Sequence, residues 1–170
     1  MDFMELAQQR YSCRKFSARS VEPEKLEQLM KAAALAPTAI NTQSFKLWHL
    51  ASEQAKAILR EHCSYTFGAP EFILVGSKHG GSWTREVDQK NFADVDAAIA
   101  ATHLMLEAQQ LGLATTWVGC FDAPALQQRF PQMQYYELIA LFPIGYAAQT
   151  AHPSAQHTTK KPLGQLVEVL

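Results

Sequence analysis

The sequence predicts a mixed helix-and-strand fold in a single domain spanning residues 1–170, on three observations. Several segments carry apolar residues at the three-to-four spacing of an amphipathic helix, and they are bounded by capping and stop residues. Between them lie short runs of aromatic and aliphatic residues that read as buried strands. At 170 residues the chain is long enough to bury a substantial core. These patterns are compatible with several α/β arrangements and choose none of them.

Taken in order, Asp2 and Glu5 form a capping box that opens a first helix, with Phe3, Leu6, Ala7 and Arg10 at helical spacing. A second helix runs from Pro23, where proline suits the first turn, to Ala36, where Pro37 stops it. Its Leu26, Leu29, Met30 and Ala33 share one face. Ala36 to Ser44 is a run of small and amide side chains, followed by a strand over Phe45–Leu50. Ser52 caps a helix reaching about His62, which carries Ala55, Ile58 and Leu59 inward. Gly68-Ala69-Pro70 breaks the chain before the buried-strand run Phe72–Val75.

Ser77–Asn91 is polar, contains glycine and reads as a mobile loop. Phe92–Leu111 is the longest helix, with Gly112 as its stop. Val95, Ile99, Leu104, Met105 and Leu106 leave it apolar on most sides, so it needs a central position or a subunit interface. Leu113–Gly119 reads as a third strand, and Asp122 caps a helix to Phe130. Tyr136–Gly145 reads as a fourth strand interrupted by Pro143. A polar tail, Ala147–Lys161, leads to Leu163–Leu170, which is apolar enough to require burial, as docking on a partner subunit would give.

Composition narrows the function. A net charge of -1 gives no basic surface for nucleic acid and no polybasic membrane patch. No apolar run is long enough to span a bilayer, and Met1–Arg10 has no cleavable signal pattern. Cys13, Cys63 and Cys120 are odd in number and widely spaced, which argues against a disulfide framework and for a reducing, cytoplasmic setting. The histidines are scattered: His152 and His157 flank Pro153 without a third ligand, and His103 reads as a core or interface residue. Trp48 and Trp117 read as packing residues. No nucleophile elbow, phosphate loop, metal signature or acid–base pair emerges, so reactivity would have to come from a cofactor.

One stretch stands out, Arg10-Tyr11-Ser12-Cys13-Arg14-Lys15-Phe16. In extended chain Arg10, Ser12 and Arg14 point to one side, and two guanidinium forks with a hydroxyl can clamp a phosphate. A solvated basic turn has the same composition.

Three separated stretches resemble the nitroreductase family. Arg10-Tyr11-Ser12-Cys13-Arg14 is similar to its Arg-x-Ser-x-Arg motif, and Ala36-Pro37-Thr38-Ala39-Ile40-Asn41-Thr42-Gln43 to its Ala-Pro-Ser-x-x-Asn-x-Gln. The third comprises Gly112-Leu113 through Trp117-Val118-Gly119, and Ile144-Gly145-Tyr146 followed by Lys160-Lys161-Pro162-Leu163. The resemblance implies a three-layer α+β fold with a central, mostly antiparallel sheet, dimeric with C-terminal strand exchange. It implies FMN held by Arg10, Tyr11, Ser12, Arg14, Thr38, Asn41, Gln43, Val118, Gly119 and Lys160, with NADH or NADPH as electron donor.

The activity it implies is ping-pong reduction of a small acceptor, such as a nitroaromatic, quinone or enone, by a homodimer. Tyr65, Phe67 and Trp83 are candidate walls of the acceptor pocket on composition. A flavin-binding or flavin-handling protein with little turnover would keep the same motifs. A cofactor-free scaffold binding an acidic partner is the third reading. The chain departs from the family pattern at Ser44-Phe45, where Pro-Trp is common, and at Lys160 and Lys161, where Arg is common.

Overall fold

The fold is a four-stranded sheet between two layers of helices, in a computed structural model that describes residues 2–170. In chain order the elements are α1 (Phe3–Gln9), α2 (Pro23–Ala34), β1 (Phe45–His49), α3 (Glu53–His62) and β2 (Glu71–Ser77). There follow β3 (Thr84–Arg85), β4 (Lys90–Asn91), α4 (Ala93–Gln110), β5 (Ala114–Thr115), α5 (Ala123–Arg129) and β6 (Glu137–Gly145). The sheet order is β1-β2-β6-β5, and every neighbouring pair is antiparallel.

Strand alternation divides the core in two. Ile73, Val75, Ala140, Phe142 and Ile144 face α2 and α4, where they meet Leu26, Leu29, Ala97, Ala100 and Leu104. Phe72, Leu74, Leu138 and Leu141 face the other way, onto Ile58 and Leu59 of α3 and Leu126 of α5. Both faces of β2 and β6 are thus covered, which is why they read as near-continuous apolar runs. The buried face of α4 is largely alanine (Ala93, Ala97, Ala100, Ala101, Ala108), and this lets it lie close to sheet and α2. Its Val95, Ile99 and Leu106 stay partly exposed.

Local signals hold well at the helix starts. Asp2 and Glu5 form both halves of the capping box, Ser52 Oγ accepts from the Ala55 N–H, and Asp122 Oδ1 from the Ala125 N–H. Gly112 leaves α4 at a φ of 71°, left-handed backbone that favours glycine.

Three expectations need correction. The third strand does not run from Leu113 to Gly119: only Ala114–Thr115 pairs continuously, and the ladder resumes at Val118 opposite Leu141. The reason lies in the neighbouring strand. Continuing the register Ala114↔Gly145 and Thr115↔Ile144 puts Thr116 opposite Pro143, which has no N–H to offer. Pro143 therefore interrupts β5, whereas its own strand β6 runs unbroken from Glu137 to Gly145. Ser77–Asn91 is not simply a loop, because it folds back as the hairpin β3–β4.

No helix among the described residues is long and apolar enough to cross a membrane. The C-terminal Leu163, Leu166, Val167, Val169 and Leu170 are exposed on the isolated chain.

Gly76 lies at the irregularity between β2 and β6, where a Cβ would come within 2.8 Å of the Trp48 ring and 3.1 Å of the Glu137 carbonyl. Gly76→Ala is expected to destabilise the fold by about 1–3 kcal/mol through overpacking, measurable as a lowered denaturant midpoint.

Candidate functional site

The basic stretch after α1 is extended because it joins the sheet. Ser12 bridges Thr115 in parallel, and the Cys13 N–H donates to the Thr115 carbonyl at 3.0 Å. Cys13 and Phe16 then face the core, and Arg10, Ser12 and Arg14 are left on the outer side. All three line a pocket of about 180 Å³ with Tyr11, Ser154, Gln156, His157 and Lys160. Lys160 reaches it from a tail that a 3-10 turn, Ala155–Thr158, folds back over Tyr11, whose ring meets His157 edge-on at 6.3 Å.

The charge of this pocket is one-sided. Among the described residues, no carboxylate lies within ion-pairing distance of Arg10, Arg14 or Lys160. Burial, reinforced by the neighbouring Cys13 thiol, raises the Tyr11 phenol above its ordinary range, so Tyr11 remains neutral. Three cations and three hydroxyls around a small cavity make a receptor for a phosphate-sized anion.

Arg14 also borders a second pocket of about 230 Å³, lined by Tyr65, Phe67, Trp117, Val118, Gly119 and Cys120. The sheet determines its floor. Val118 exchanges both backbone hydrogen bonds with Leu141 at 2.9 Å, so Gly119 is the first residue beyond the ladder. A Cβ on Gly119 would meet nothing within 4 Å. No side chain stands over the floor at this position, and among the described residues nothing accepts the Gly119 N–H. The Tyr65 and Phe67 rings lie 6.1 Å apart and form one wall. Trp83 does not belong to this pocket: it packs on Phe92 at 5.0 Å, beside the β3–β4 hairpin.

Thr38, Asn41 and Gln43 stand elsewhere. Their loop is tightly self-bonded: Gln43 donates its N–H to Thr38 Oγ1 at 3.0 Å and its side-chain amide to Asn41 Oδ1 at 3.1 Å. Ile40, Asn41 and Gln43 have φ of 45°, 58° and 50°, a left-handed conformation that is strained for a β-branched residue such as Ile40. The strain is held by Asp96, 1% exposed in α4, which accepts the Ala39 N–H at 2.9 Å and the Thr42 hydroxyl at 3.4 Å. The sequence reading missed Asp96, which stands in the first turn of α4 where acids are common and is set apart only by its burial.

The structure therefore gathers Arg10, Tyr11, Ser12, Arg14 and Lys160 in one pocket, and Arg14, Val118 and Gly119 in the next. It places Thr38, Asn41 and Gln43 at a different corner of the sheet. Their loop runs into Phe45, paired with Ser77 at one end of β2, whereas Ser12 sits beyond Thr115 and Ile144, level with Glu71 at the other end. That is the length of β2, roughly 20 Å, and four inter-strand steps of about 4.8 Å each.

The donor chemistry fits FMN, whose phosphate is dianionic and whose ring rim alternates donors and acceptors: unpaired cations for the one, the Asn41 and Gln43 amides for the other. Asp96→Ala strips a buried N–H of its acceptor. It is expected to cost about 1–3 kcal/mol of stability and to raise amide exchange over residues 38–43 specifically, measured by hydrogen–deuterium exchange.

A sequence model of the nitroreductase family matches residues 7–67 and 62–146. A nitroreductase family protein of Clostridium difficile superposes with a TM-score of 0.91 at 35% identity, covering 99% of this chain and 98% of that one. A protein of Exiguobacterium sibiricum, solved in complex with FMN, shares the fold at a TM-score of 0.84 and 20% identity, over 100% of this chain and 98% of its own. A relative in Methanothermobacter thermautotrophicus, provisionally named NADH dehydrogenase/NAD(P)H nitroreductase, is 24% identical over 164 residues, 88% of this chain and 79% of that protein. With its family motifs in order along one three-layer fold, the chain belongs to the nitroreductase family.

Proposed function

We propose that the protein is an FMN-dependent oxidoreductase that acts as a homodimer, taking reducing equivalents from NADH or NADPH and reducing a small organic acceptor. The observation that carries this reading is the separation of the two half-sites. The phosphate-type pocket and the Thr38–Gln43 amides lie at opposite corners of one sheet, farther apart than an FMN molecule is long. A single cofactor can touch both sets only if each comes from a different protomer.

Surface composition supports the same reading. Val95, Ile99 and Leu106 leave an apolar stripe on α4, and Leu163, Leu166, Val167 and Val169 expose an apolar C-terminal segment. A second copy covering them would bury what an isolated protomer leaves wet. Strand exchange by that C-terminal segment is part of the proposal.

In this arrangement Arg10 and Arg14 grip the phosphate with planar forks, and Lys160 adds a point charge from the folded-back tail. The Ser12 and Tyr11 hydroxyls complete the shell. Asn41 and Gln43 of the partner protomer read the ring's polar edge, with Thr38 closing their loop. Val118 is locked to Leu141 and so fixes the backbone at Gly119, whose N–H would serve the ring. When bound, FMN supplies the redox chemistry, exchanging electrons between NAD(P)H and an acceptor such as a nitroaromatic, quinone or enone in two alternating half-reactions. The chain contributes no titrating catalytic side chain; it binds, orients and donates a hydrogen bond. Tyr65, Phe67 and Trp117 form an aromatic wall suited to a flat acceptor.

Purified protein is expected to be yellow. Charge-assisted hydrogen bonds contribute about 1.5–3 kcal/mol each, so Arg10→Ala with Arg14→Ala should weaken FMN binding by roughly two to four orders of magnitude and give colourless protein. Anaerobic stopped-flow mixing with NADH and NADPH is expected to bleach the flavin band with at least one donor. No bleaching with either would leave a flavin-binding protein without reductase turnover. Sedimentation equilibrium is expected to give a dimer, and a flavin-loaded monomer would refute the shared site.

A further inference from the structure

We infer that His79, Asp94 and Glu137 form a site for a divalent transition metal of the Zn²⁺ class, separate from the pockets around Arg14. This site does not rest on the flavin reading. His79 follows β2, Asp94 lies in the first turn of α4 and Glu137 opens β6, so three elements deliver one side chain each. One ligand atom from each falls within 4.8 Å of the other two. His79 Nε2 is 2.9 Å from Asp94 Oδ1 and 3.3 Å from Glu137 Oε2. A tetrahedral zinc ion with bonds of about 2.0–2.2 Å has ligand-to-ligand edges of about 3.3–3.6 Å; the His79–Glu137 edge matches at 3.3 Å, the His79–Asp94 edge is shorter at 2.9 Å, and the Asp94–Glu137 edge lies within 4.8 Å.

Two carboxylates crowding one Nε2 call for positive charge between them, which an imidazolium or a metal ion supplies. A metal ion at the centroid of the three atoms binds all of them with the histidine neutral. One nitrogen and two carboxylate oxygens are a donor set that suits zinc and its neighbours and disfavours Mg²⁺, which demands oxygen.

The ligands are also held from behind. Ser77, fully buried, donates its hydroxyl to Asp94 Oδ1 at 2.5 Å. Ser77 and Glu137 are register partners across β2 and β6, so the sheet itself sets the Glu137 position. The Asn91 side chain donates to the His79 carbonyl at 3.3 Å and to Thr84 Oγ1 at 2.9 Å, tying the histidine to the β3–β4 hairpin. Such supporting contacts fix first-contact ligands in known metal sites. The outer face stays open, with side-chain exposures of 50%, 51% and 63% for His79, Asp94 and Glu137, which leaves room for a water ligand. An ion seated there would clamp the hairpin and β6 to the helix turn that carries Asp96.

The test uses the purified full-length protein, stripped with EDTA, exchanged into buffer and titrated with ZnCl₂ by calorimetry, with MgCl₂ in parallel. One Zn²⁺ equivalent per chain is expected, with no Mg²⁺ binding at the same concentrations. His79→Gln and Glu137→Gln, each separately, are expected to weaken that equivalent at least about tenfold. His152→Gln should leave it unchanged. Far-UV circular dichroism identical to wild type establishes that the exposed-site variants remain folded. No measurable Zn²⁺ binding by wild type, or affinity unchanged in His79→Gln, would overturn the proposal and reduce the cluster to an ion-pair network.

Discussion

The pairing of β2 with β6 is the constraint on which the rest of the structure depends. These two strands carry Phe72, Ile73, Leu74, Val75, Leu141, Phe142 and Ile144, all fully buried, and contribute to both cores at once. Their register also decides where every functional segment lands. It puts Ser77 beside Glu137 and Phe45, and Ile144 beside Thr115 and, through it, Ser12. Shifting this pairing by one residue would exchange the two faces of the sheet and unmake both layers.

Pro143 shows how a backbone detail in that pairing becomes a feature of the site. A central strand tolerates proline only where no ladder hydrogen bond is required of it. Here the missing bond falls on the β5 side, opposite Thr116, and Thr115 compensates by donating its hydroxyl to the Pro143 carbonyl at 2.8 Å. The chain then re-engages at Val118 and departs at Gly119. The pocket floor is therefore a strand end held on one side by a strong pair and freed on the other by glycine. No side chain is needed to aim its N–H, which suits chemistry that resides in a cofactor.

Much of this was legible in the sequence where the cause is local. The caps at Asp2, Ser52 and Asp122, the stop at Gly112 and the two-residue spacing of Arg10, Ser12 and Arg14 need only neighbouring residues, and each appears as read. The misreadings share a different origin. By local rules Pro143 breaks its own strand, yet its effect is on the one beside it, which no local rule reports. The hairpin in Ser77–Asn91 turns through Gln89 at a φ of 58° and lacks the Asn-Gly or Asp-Gly signal that marks such turns. Asp96 resembles any acid in a first helical turn until its burial is known. His79, Asp94 and Glu137 meet only through the register of β2 with β6, so no spacing along the chain could announce them.

The uncompensated charge around Arg10, Arg14 and Lys160 has a consequence for the fold as well as for binding. Clustered like charges work against compactness, and a structure that keeps them without internal carboxylates carries an unfavourable local field. Some exposed cations elsewhere avoid this, since Arg19 pairs with Glu22, Lys31 with Glu27, and Arg129 with Glu61, whereas Lys46, Lys78 and Lys90 are singly placed and have no carboxylate partner among the described residues. What sets Arg10, Arg14 and Lys160 apart is that they converge on one small pocket, where the negative charge of a ligand would compensate them. Seating a dianion there removes the repulsion and adds charge-assisted hydrogen bonds in one event, so binding and stability are linked by mass action. The same logic explains the strained loop at Ile40–Gln43. Its left-handed residues are unfavourable alone and are held by the buried Asp96, so the fold itself sets the loop's shape before any ligand could. One half-site thus stores strain and the other stores charge, and a cofactor spanning two protomers would draw on both.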